Sequence, residues 1–92
     1  MLITVELVGR ARILAGQSEV VIALAGDATG RDALSALVRE VPALAGGAID
    51  ITNTELVGAY LLSHSETGAI TDLDAPLSLT SDSRLLLFQE MC

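Results

Sequence analysis

Alternation of apolar and polar side chains predicts two strands at the start of the chain. In residues 2–8 the aliphatic side chains of Ile3, Val5 and Leu7 fall at every second position, as in a half-buried strand. Residues 19–25 form a second candidate strand that is rich in β-branched side chains. We expect these neighbours to pair antiparallel, which is the simplest arrangement for consecutive strands.

A single amphipathic helix is predicted after the second strand. Thr29 can cap the helix, and Asp32 stands three residues later, which approximates a capping box. Asp32 is also a favourable charge at the positive end of the helix dipole. Pro42 ends the helix because it has no N–H and disfavours helical geometry at the residue before it. The apolar face follows the spacing i, i+3, i+4, i+7: Leu34, Leu37, Val38 and Val41.

The second half of the chain predicts two further strands. Residues 56–62 are nearly all apolar, which favours a strand that is central or covered on both faces. Residues 84–89 form the last candidate strand, and residues 70–79 are irregular, with a short strand or 3₁₀ turn around Pro76. The other polar or glycine-containing stretches are predicted as connections: residues 9–18, 43–53, 63–68 and 81–83.

The order of these elements is β-β-α-β-(short)-β. One helix must then cover one face of one sheet, so the fold class is α+β. The first and last strands are expected to pair in parallel at the centre of the sheet, through a right-handed crossover. The prediction is a single β-grasp domain over residues 1–92, with a mixed four- to five-stranded sheet packed on one main helix.

Composition narrows the possible functions. The net charge is −7, and the five basic residues are all arginine. A nucleic-acid binder needs a basic stripe, so we expect no nucleic-acid partner. The acidic surface suits either solubility or docking on a basic partner. Because the chain has no lysine, it offers no side-chain amine to an isopeptide bond.

No catalytic or metal-binding constellation is visible. His64 is the only histidine and is predicted in a polar turn, where a solvated side chain is the simplest interpretation. Asp72 and Asp74 are interpreted as turn residues that accept backbone N–H bonds. The glycines near residues 26–30 match no phosphate-binding motif, so nucleotide binding is rejected. We predict no catalytic residue, no metal and no bound cofactor.

The cysteine content and the N-terminal segment bear on the compartment of the protein. Cys92 is the only cysteine, so no intramolecular disulfide can form and nothing suggests secretion. The apolar start is interrupted by Glu6, and no basic segment or cleavage pattern follows it. No apolar run reaches membrane-spanning length. We therefore expect a soluble, cytoplasmic protein with no membrane partner.

Short segments spread over most of the chain resemble one family. The segments that carry the likeness are ARILAG at 11–16, DATGRDAL at 27–34, VPAL at 41–44, DAPL at 74–77 and SDSRLLLF at 81–88. In this order and spacing they resemble the MoaD/ThiS family of ubiquitin-like sulfur carriers. That family includes the small subunit of molybdopterin synthase and the carrier of the thiamine pathway.

The resemblance implies a carrier in molybdopterin or related cofactor biosynthesis, not a stand-alone enzyme. Its expected partners are an E1-like activating enzyme, which consumes ATP, and the large subunit of a synthase. In this family the activating enzyme adenylates a C-terminal glycine, and the product becomes a thiocarboxylate. Apart from the resemblance, Arg10 and Arg12 at the end of the first strand could pair with acids on the neighbouring strand or contact a partner, and Phe88 is a further candidate for partner contact. By position, the carrier tail corresponds to the last four residues: Gln89, Glu90, Met91 and Cys92.

The tail departs from the family at its last two residues, where Gly-Gly is expected. Met91 and Cys92 carry side chains that a channel shaped for glycine should exclude. Two interpretations follow: the chain shown is a shortened form of a carrier, or it is a binding module that kept the fold without the chemistry. A third gives Cys92 a persulfide or redox role, but Glu90 disfavours the thiolate, and an inert exposed thiol is preferred.

Overall fold

The structure, a computed structural model, describes residues 1–52 and 54–89. Of the predicted tail, Glu90, Met91 and Cys92 lie outside the described residues. The regular elements, in chain order, are β1 (Leu2–Leu7), α1 (Arg10–Ala15), β2 (Glu19–Ala23), α2 (Gly30–Glu40), a 3₁₀ helix (Pro42–Leu44), β3 (Ile49–Asp50), β4 (Glu55–Leu56), β5 (Tyr60–His64) and β6 (Arg84–Gln89).

The main sheet has four strands in the order β2-β1-β6-β5. The first and last strands lie side by side and parallel at its centre, with Thr4 beside Arg84 and Leu7 beside Leu87. The outer pairs, β1 with β2 and β5 with β6, are antiparallel. This is the β-grasp arrangement predicted from the sequence, with β3 and β4 forming a separate two-stranded hairpin.

The helix α2 begins as the sequence predicts. The Asp32 N–H donates to the Thr29 hydroxyl at 3.3 Å, and the Thr29 N–H donates to the Asp32 carboxylate at 2.9 Å. This reciprocal pair satisfies two donors that a helix start otherwise leaves unbonded. Leu34 and Leu37 are fully buried, while Val38 is partly buried. The helix therefore seats its predicted apolar face in the core.

The core lies between α2 and one face of the main sheet. Alternate residues of the central strands point into it, including Ile3 and Val5 of β1 and Leu85 and Leu87 of β6, all 0% exposed. The residues between them point to the opposite face of the sheet. No helix among the described residues covers that opposite face, which we call the open face.

The connection predicted at residues 9–18 contains a helix, which corrects the sequence prediction. Gly9, with φ 65°, precedes α1, and Gly16, with φ 72°, ends it in the left-handed conformation that glycine adopts without strain. Ala11 is fully buried and anchors this helix. Six residues are too few for a clear helical period, so the two glycines alone suggested a loop.

The third strand lies later in the sequence than predicted and at the edge of the sheet. The prediction placed it at 56–62, central or covered on both faces, but β5 covers Tyr60–His64 and lies at the sheet edge. Leu56 belongs instead to the β3–β4 hairpin, where it faces Ile49. The apolar sequence suggested a central strand because β5, although at the edge of the sheet, is bordered on both sides. Strand β6 pairs with one side, and residues 69–71 hydrogen-bond along the other. The loop prediction for 43–53 likewise misses β3 and the 3₁₀ helix.

Gly30 is expected to tolerate no side chain. A Cβ at this position would lie 2.9 Å from the Cα of Leu73, and the neighbouring Arg31 N–H donates to the Leu73 carbonyl at 3.1 Å. We expect Gly30→Val to destabilise the domain by about 1–3 kcal/mol through overpacking. Gly26→Val is the matched control, because a Cβ there meets only the tip of Met1 at 3.8 Å. Urea unfolding of both variants measures the difference, and equal midpoints would contradict the close packing at Gly30.

Candidate functional site

The C-terminal strand delivers its last residues to one end of the sheet. Because β6 runs parallel to β1, both strands end on the same side, and the Val8 N–H donates to the Leu87 carbonyl at 3.1 Å. On the other flank, Tyr60 pairs with Gln89. Gln89, the last described residue, therefore lies where β1 leads into α1. We call this place, defined by Val8, Tyr60 and Gln89, the tail root.

The helix α1 supplies the basic residues nearest to the tail root in sequence. It packs against β6 and against the 3₁₀ helix, held by the buried side chain of Ala11. The side chains of Arg10 and Arg12 are exposed, and neither forms an ion pair with residues 1–52 or 54–89. Within the described residues, their guanidinium groups therefore pair with no acid and are available to a partner.

The open face carries an apolar patch next to the tail root. Phe88 pairs with Leu61 across β5 and β6, and Leu86 lies two residues before Phe88 on the same face. All three side chains are half-buried. We call Leu61, Leu86 and Phe88 the apolar patch. The sequence prediction included Phe88 but not the other two residues.

An ion-pair network crosses the open face beside this patch. The Arg84 guanidinium of β6 contacts the Glu6 carboxylate of β1 at 2.8 Å and also bonds Glu19 of β2. The hydrogen bond to Glu6, followed by that to Glu19, raises the pKa of Arg84. Two carboxylates surround one guanidinium, so the network ties three strands together and leaves this part of the face acidic.

A second network holds the N-terminal end of α2 and has a structural role. The Arg31 guanidinium donates to Asp74 at 2.6 Å and to the Thr54 carbonyl at 3.0 Å. The hydrogen bond with Arg31 lowers the pKa of Asp74. Asp72 accepts the N–H of Asp74 at 3.0 Å, as predicted for a turn residue. The carboxylate of Asp74, in contrast, accepts a hydrogen bond from Arg31. This contact joins distant segments and could not be predicted from the sequence.

His64 occupies a different setting from the one predicted. It ends strand β5, half-buried and paired with Leu85, and is not in the polar turn that follows. Within the described residues, no group of three or more His, Cys, Asp or Glu side chains is placed to hold a metal ion. No helix in the described part of the chain is long and apolar enough to cross a membrane.

Glu66 fastens the turn after β5 to the start of β6. Its carboxylate accepts the Arg84 backbone N–H at 2.8 Å. Hydrogen bonding to its own backbone N–H and to that of Arg84 lowers the pKa of Glu66. A lowered pKa in the folded state means that ionised Glu66 stabilises the fold above its unfolded pKa, and that this contribution is lost as pH falls through the folded value.

We therefore expect Glu66→Gln to destabilise the protein at neutral pH and to have a shrinking effect in acid. Unfolding midpoints measured from pH 7 down to about pH 3, below the ordinary glutamate pKa, test this sign. Glu40→Gln is the control, since Glu40 is exposed and accepts no hydrogen bond within residues 1–52 and 54–89. A Glu66→Gln difference that stays constant over the whole range would contradict the assignment.

The structure places most of the residues predicted to meet a partner on two neighbouring elements. Phe88 and Gln89 lie on β6, and Arg10 and Arg12 lie on the helix that packs against it. The alternation of the last strand could have placed Leu86 beside Phe88. Leu61 could not be found in that way, because its position depends on the register between β5 and β6.

Comparisons with known proteins find this fold among small archaeal proteins. No family model matches the chain, and no curated protein matches it. Among solved structures, SAMP1 from Haloferax volcanii is 26% identical, with 99% of this chain and 97% of that chain covered and a TM-score of 0.81. A second structure of this H. volcanii small archaeal modifier protein 1 gives 27% identity, 98% coverage of both chains and a TM-score of 0.80.

A more distant neighbour shares the fold alone. It is described as putative molybdopterin converting factor, subunit 1, from Pyrococcus furiosus, and is 19% identical, with 99% of each chain covered and a TM-score of 0.71. The likeness to these neighbours, a small modifier protein and a converting-factor subunit by their descriptions, supports the ubiquitin-like β-grasp fold.

Proposed function

We propose that this protein is a ubiquitin-like carrier whose C-terminus is activated by a partner enzyme and then transfers sulfur. The observation that supports this most is the tail root: the central strand β6 reaches the sheet margin at Gln89, next to the apolar patch, and α1 packs against it with two arginines that pair with no acid among the described residues. A carrier needs a rigid body that an activating enzyme can grip and a C-terminus that leaves it. The likeness to small archaeal modifier protein 1 supports the same interpretation.

The activation step needs no catalytic residue from the carrier. The C-terminal carboxylate attacks the α-phosphorus of ATP, the bond to the β-phosphate oxygen breaks, and pyrophosphate leaves. A sulfide then attacks the acyl-adenylate carbonyl carbon, and AMP leaves with the bonding electron pair. The product is a C-terminal thiocarboxylate, and ATP is bound by the partner enzyme.

The body of the carrier has a separate task, which is docking. Leu61, Leu86 and Phe88 offer a compact apolar surface of the type that forms the centre of an interface. Arg10 and Arg12 can pair with acidic groups on the partner near the emerging tail, because the described residues of their own chain do not engage them. We assign the same surface to an E1-like activating enzyme and, later, to a synthase large subunit.

The destination of the sulfur is the finer part of the proposal. We assign it to cofactor biosynthesis of the molybdopterin type, in the cytoplasm, where ATP is supplied. A carrier that modifies proteins would use the same acyl-adenylate but transfer its carbonyl carbon to an amine. The chain has no lysine, so in that case it would label other proteins and not build lysine-linked chains of itself.

Intact-mass analysis tests the carrier proposal. The protein is incubated with ATP, sodium sulfide and an E1-like activating enzyme, with omission of ATP as the control. A tail that enters the activating site gains about 16 Da, because exchange of one oxygen for sulfur changes only that mass. A gain that needs ATP supports the carrier. No gain, for this chain and for the variant described next, would overturn the proposal.

The double variant Met91→Gly, Cys92→Gly separates the carrier from the alternative. A binding module that kept the docking surface would dock on the activating enzyme but present a tail that cannot enter the active site. In that case only the double variant gains the mass, because glycine has no Cβ to exclude it from a narrow channel. Equal gain by both proteins would exclude the binding module.

A further inference from the structure

The outer edge of β2 is unpaired. This strand borders β1 on one side, and no strand of the described residues lies on its other side. The Leu7 N–H donates to Ser18 at 2.8 Å and the Leu24 N–H to Met1 at 2.9 Å, which marks the hydrogen-bonded positions of the ladder. Hydrogen-bonded and non-bonded pairs alternate in antiparallel strands. The backbone groups that face away from β1 therefore belong to Glu19, Val21 and Ala23.

A groove runs between this edge and α2. Two neighbouring clefts of about 240 and 320 Å³ share Ala23 and Arg39 as lining residues. Alanines also line them, including Ala36 in one and Ala28 in the other. Such short side chains leave room for larger aliphatic side chains brought by another segment. A strand added at the edge would direct every second side chain towards this groove.

The charges around the edge favour one class of segment. Glu40 lines one cleft and Asp32 the other, and Glu19 lies on the edge strand itself. Arg39 is the single basic residue in the groove lining, and the whole chain carries −7. A basic segment is attracted to this surface, whereas a second copy of the same chain would bring the same acidic groups against it.

We propose that the β2 edge is a docking site for an extended basic segment of a partner protein, which adds to the sheet as a further strand next to β2. Main-chain hydrogen bonds to Glu19, Val21 and Ala23 hold the segment, as in strand addition to other open sheet edges. Aliphatic residues at alternate positions enter the groove, and lysine or arginine residues between them point to the open face, where Glu19 lies. This surface is separate from the apolar patch and from the tail root.

The test uses isotope-labelled protein and a defined probe, an end-capped heptapeptide of alternating lysine and valine. Two-dimensional amide NMR is recorded during titration at low salt. We expect the largest shifts, and new protection from hydrogen exchange, at the amides of Glu19, Val21 and Ala23. The control peptide has the same sequence with alternate backbone nitrogens methylated, which removes hydrogen-bond donors but keeps the charge.

A matched pair of variants tests the backbone contact. Val21→Pro removes an N–H that faces away from β1, and proline is tolerated at such edge positions. Val21→Thr keeps the N–H and the β-branched shape. We expect Val21→Pro to weaken peptide binding about 3- to 10-fold, the effect of one lost hydrogen bond, and Val21→Thr to bind as the parent does. Compared with the parent protein, Glu40→Arg should also weaken peptide binding, because it places a positive charge in the groove lining that repels the basic peptide.

Three results would overturn the proposal. Equal binding of the methylated peptide would mean that charge alone attracts the probe. Shifts centred on the apolar patch or on α1 would place the peptide elsewhere. Shifts at the β2 edge that depend on protein concentration without any peptide would show that a second copy occupies it. Because none of these measurements requires ATP or a modified tail, they stand apart from the carrier assay.

Discussion

Replacing Leu37 by alanine is expected to destabilise the domain by about 2–5 kcal/mol. Leu37 is 0% exposed, at the centre of the apolar face that α2 seats on the sheet. Its loss removes buried apolar surface and leaves a cavity that rigid strands on one side cannot fill. The free energy of unfolding of a small domain is only about 5–15 kcal/mol, so this single change is expected to remove a large part of it.

Leu2→Ala is the matched control for this substitution. Leu2 is 67% exposed on β1, so the same atoms are removed from a side chain that is already in water. We expect its effect to stay within about 0.5 kcal/mol, as for most surface substitutions. Chemical unfolding followed by circular dichroism compares the two variants. Equal losses of stability would contradict the packing of α2 against the sheet.

The fold was predictable where local pattern and tertiary structure agree. The alternation in β1, the capping residue Thr29 and the spacing of Leu34 and Leu37 each have a local cause, and each is confirmed. The parallel pairing of β1 with β6 followed from the order of elements, because one helix can cover only one face of one sheet.

The errors arose where tertiary contacts decide the local structure. The helix α1 is stable because Ala11 is buried, and its six residues carry too weak a period to be seen in the sequence. The apolar stretch around Leu56 and Leu62 contains parts of two different sheets. Only the long-range pairing of each part tells which residues form the edge strand β5, so the position of Leu61 in the apolar patch could not be predicted.

Of the candidate site, the sequence could supply individual residues but not their arrangement. The sequence proposes three separate residues, Phe88, Arg10 and Arg12. In the structure, Phe88 lies on β6 and the two arginines lie on α1, which packs against β6. Arg84 shows the opposite case. The sequence identifies Arg84 as the first residue of the last strand, yet Arg84 joins Glu6 and Glu19, which are 78 and 65 residues away in the chain. Such contacts depend on strand register, which residue types alone do not determine.

Phe88→Asp is expected to slow the ATP-dependent mass gain by about 30- to 1,000-fold, the range that corresponds to loss of an interface hot spot of 2–4 kcal/mol. Phe88 is half-buried on the open face and pairs with Leu61. An aspartate there places an unpaired charge in the centre of the proposed interface, where its desolvation is unfavourable. Because Phe88 lies outside the main core, the folded state should persist, which circular dichroism verifies.

Ile51→Asp is the matched control for Phe88→Asp, since Ile51 is 63% exposed, lies away from the main sheet and gains the same charge. If Phe88 acts by docking, raising the concentration of activating enzyme should restore the rate of the Phe88→Asp variant, since only the formation of the complex is weakened. An unchanged rate in Phe88→Asp, or an equal loss in Ile51→Asp, would place the docking surface elsewhere. Substitution of Leu61 by aspartate should reproduce the Phe88 effect, because both side chains belong to one patch across neighbouring strands.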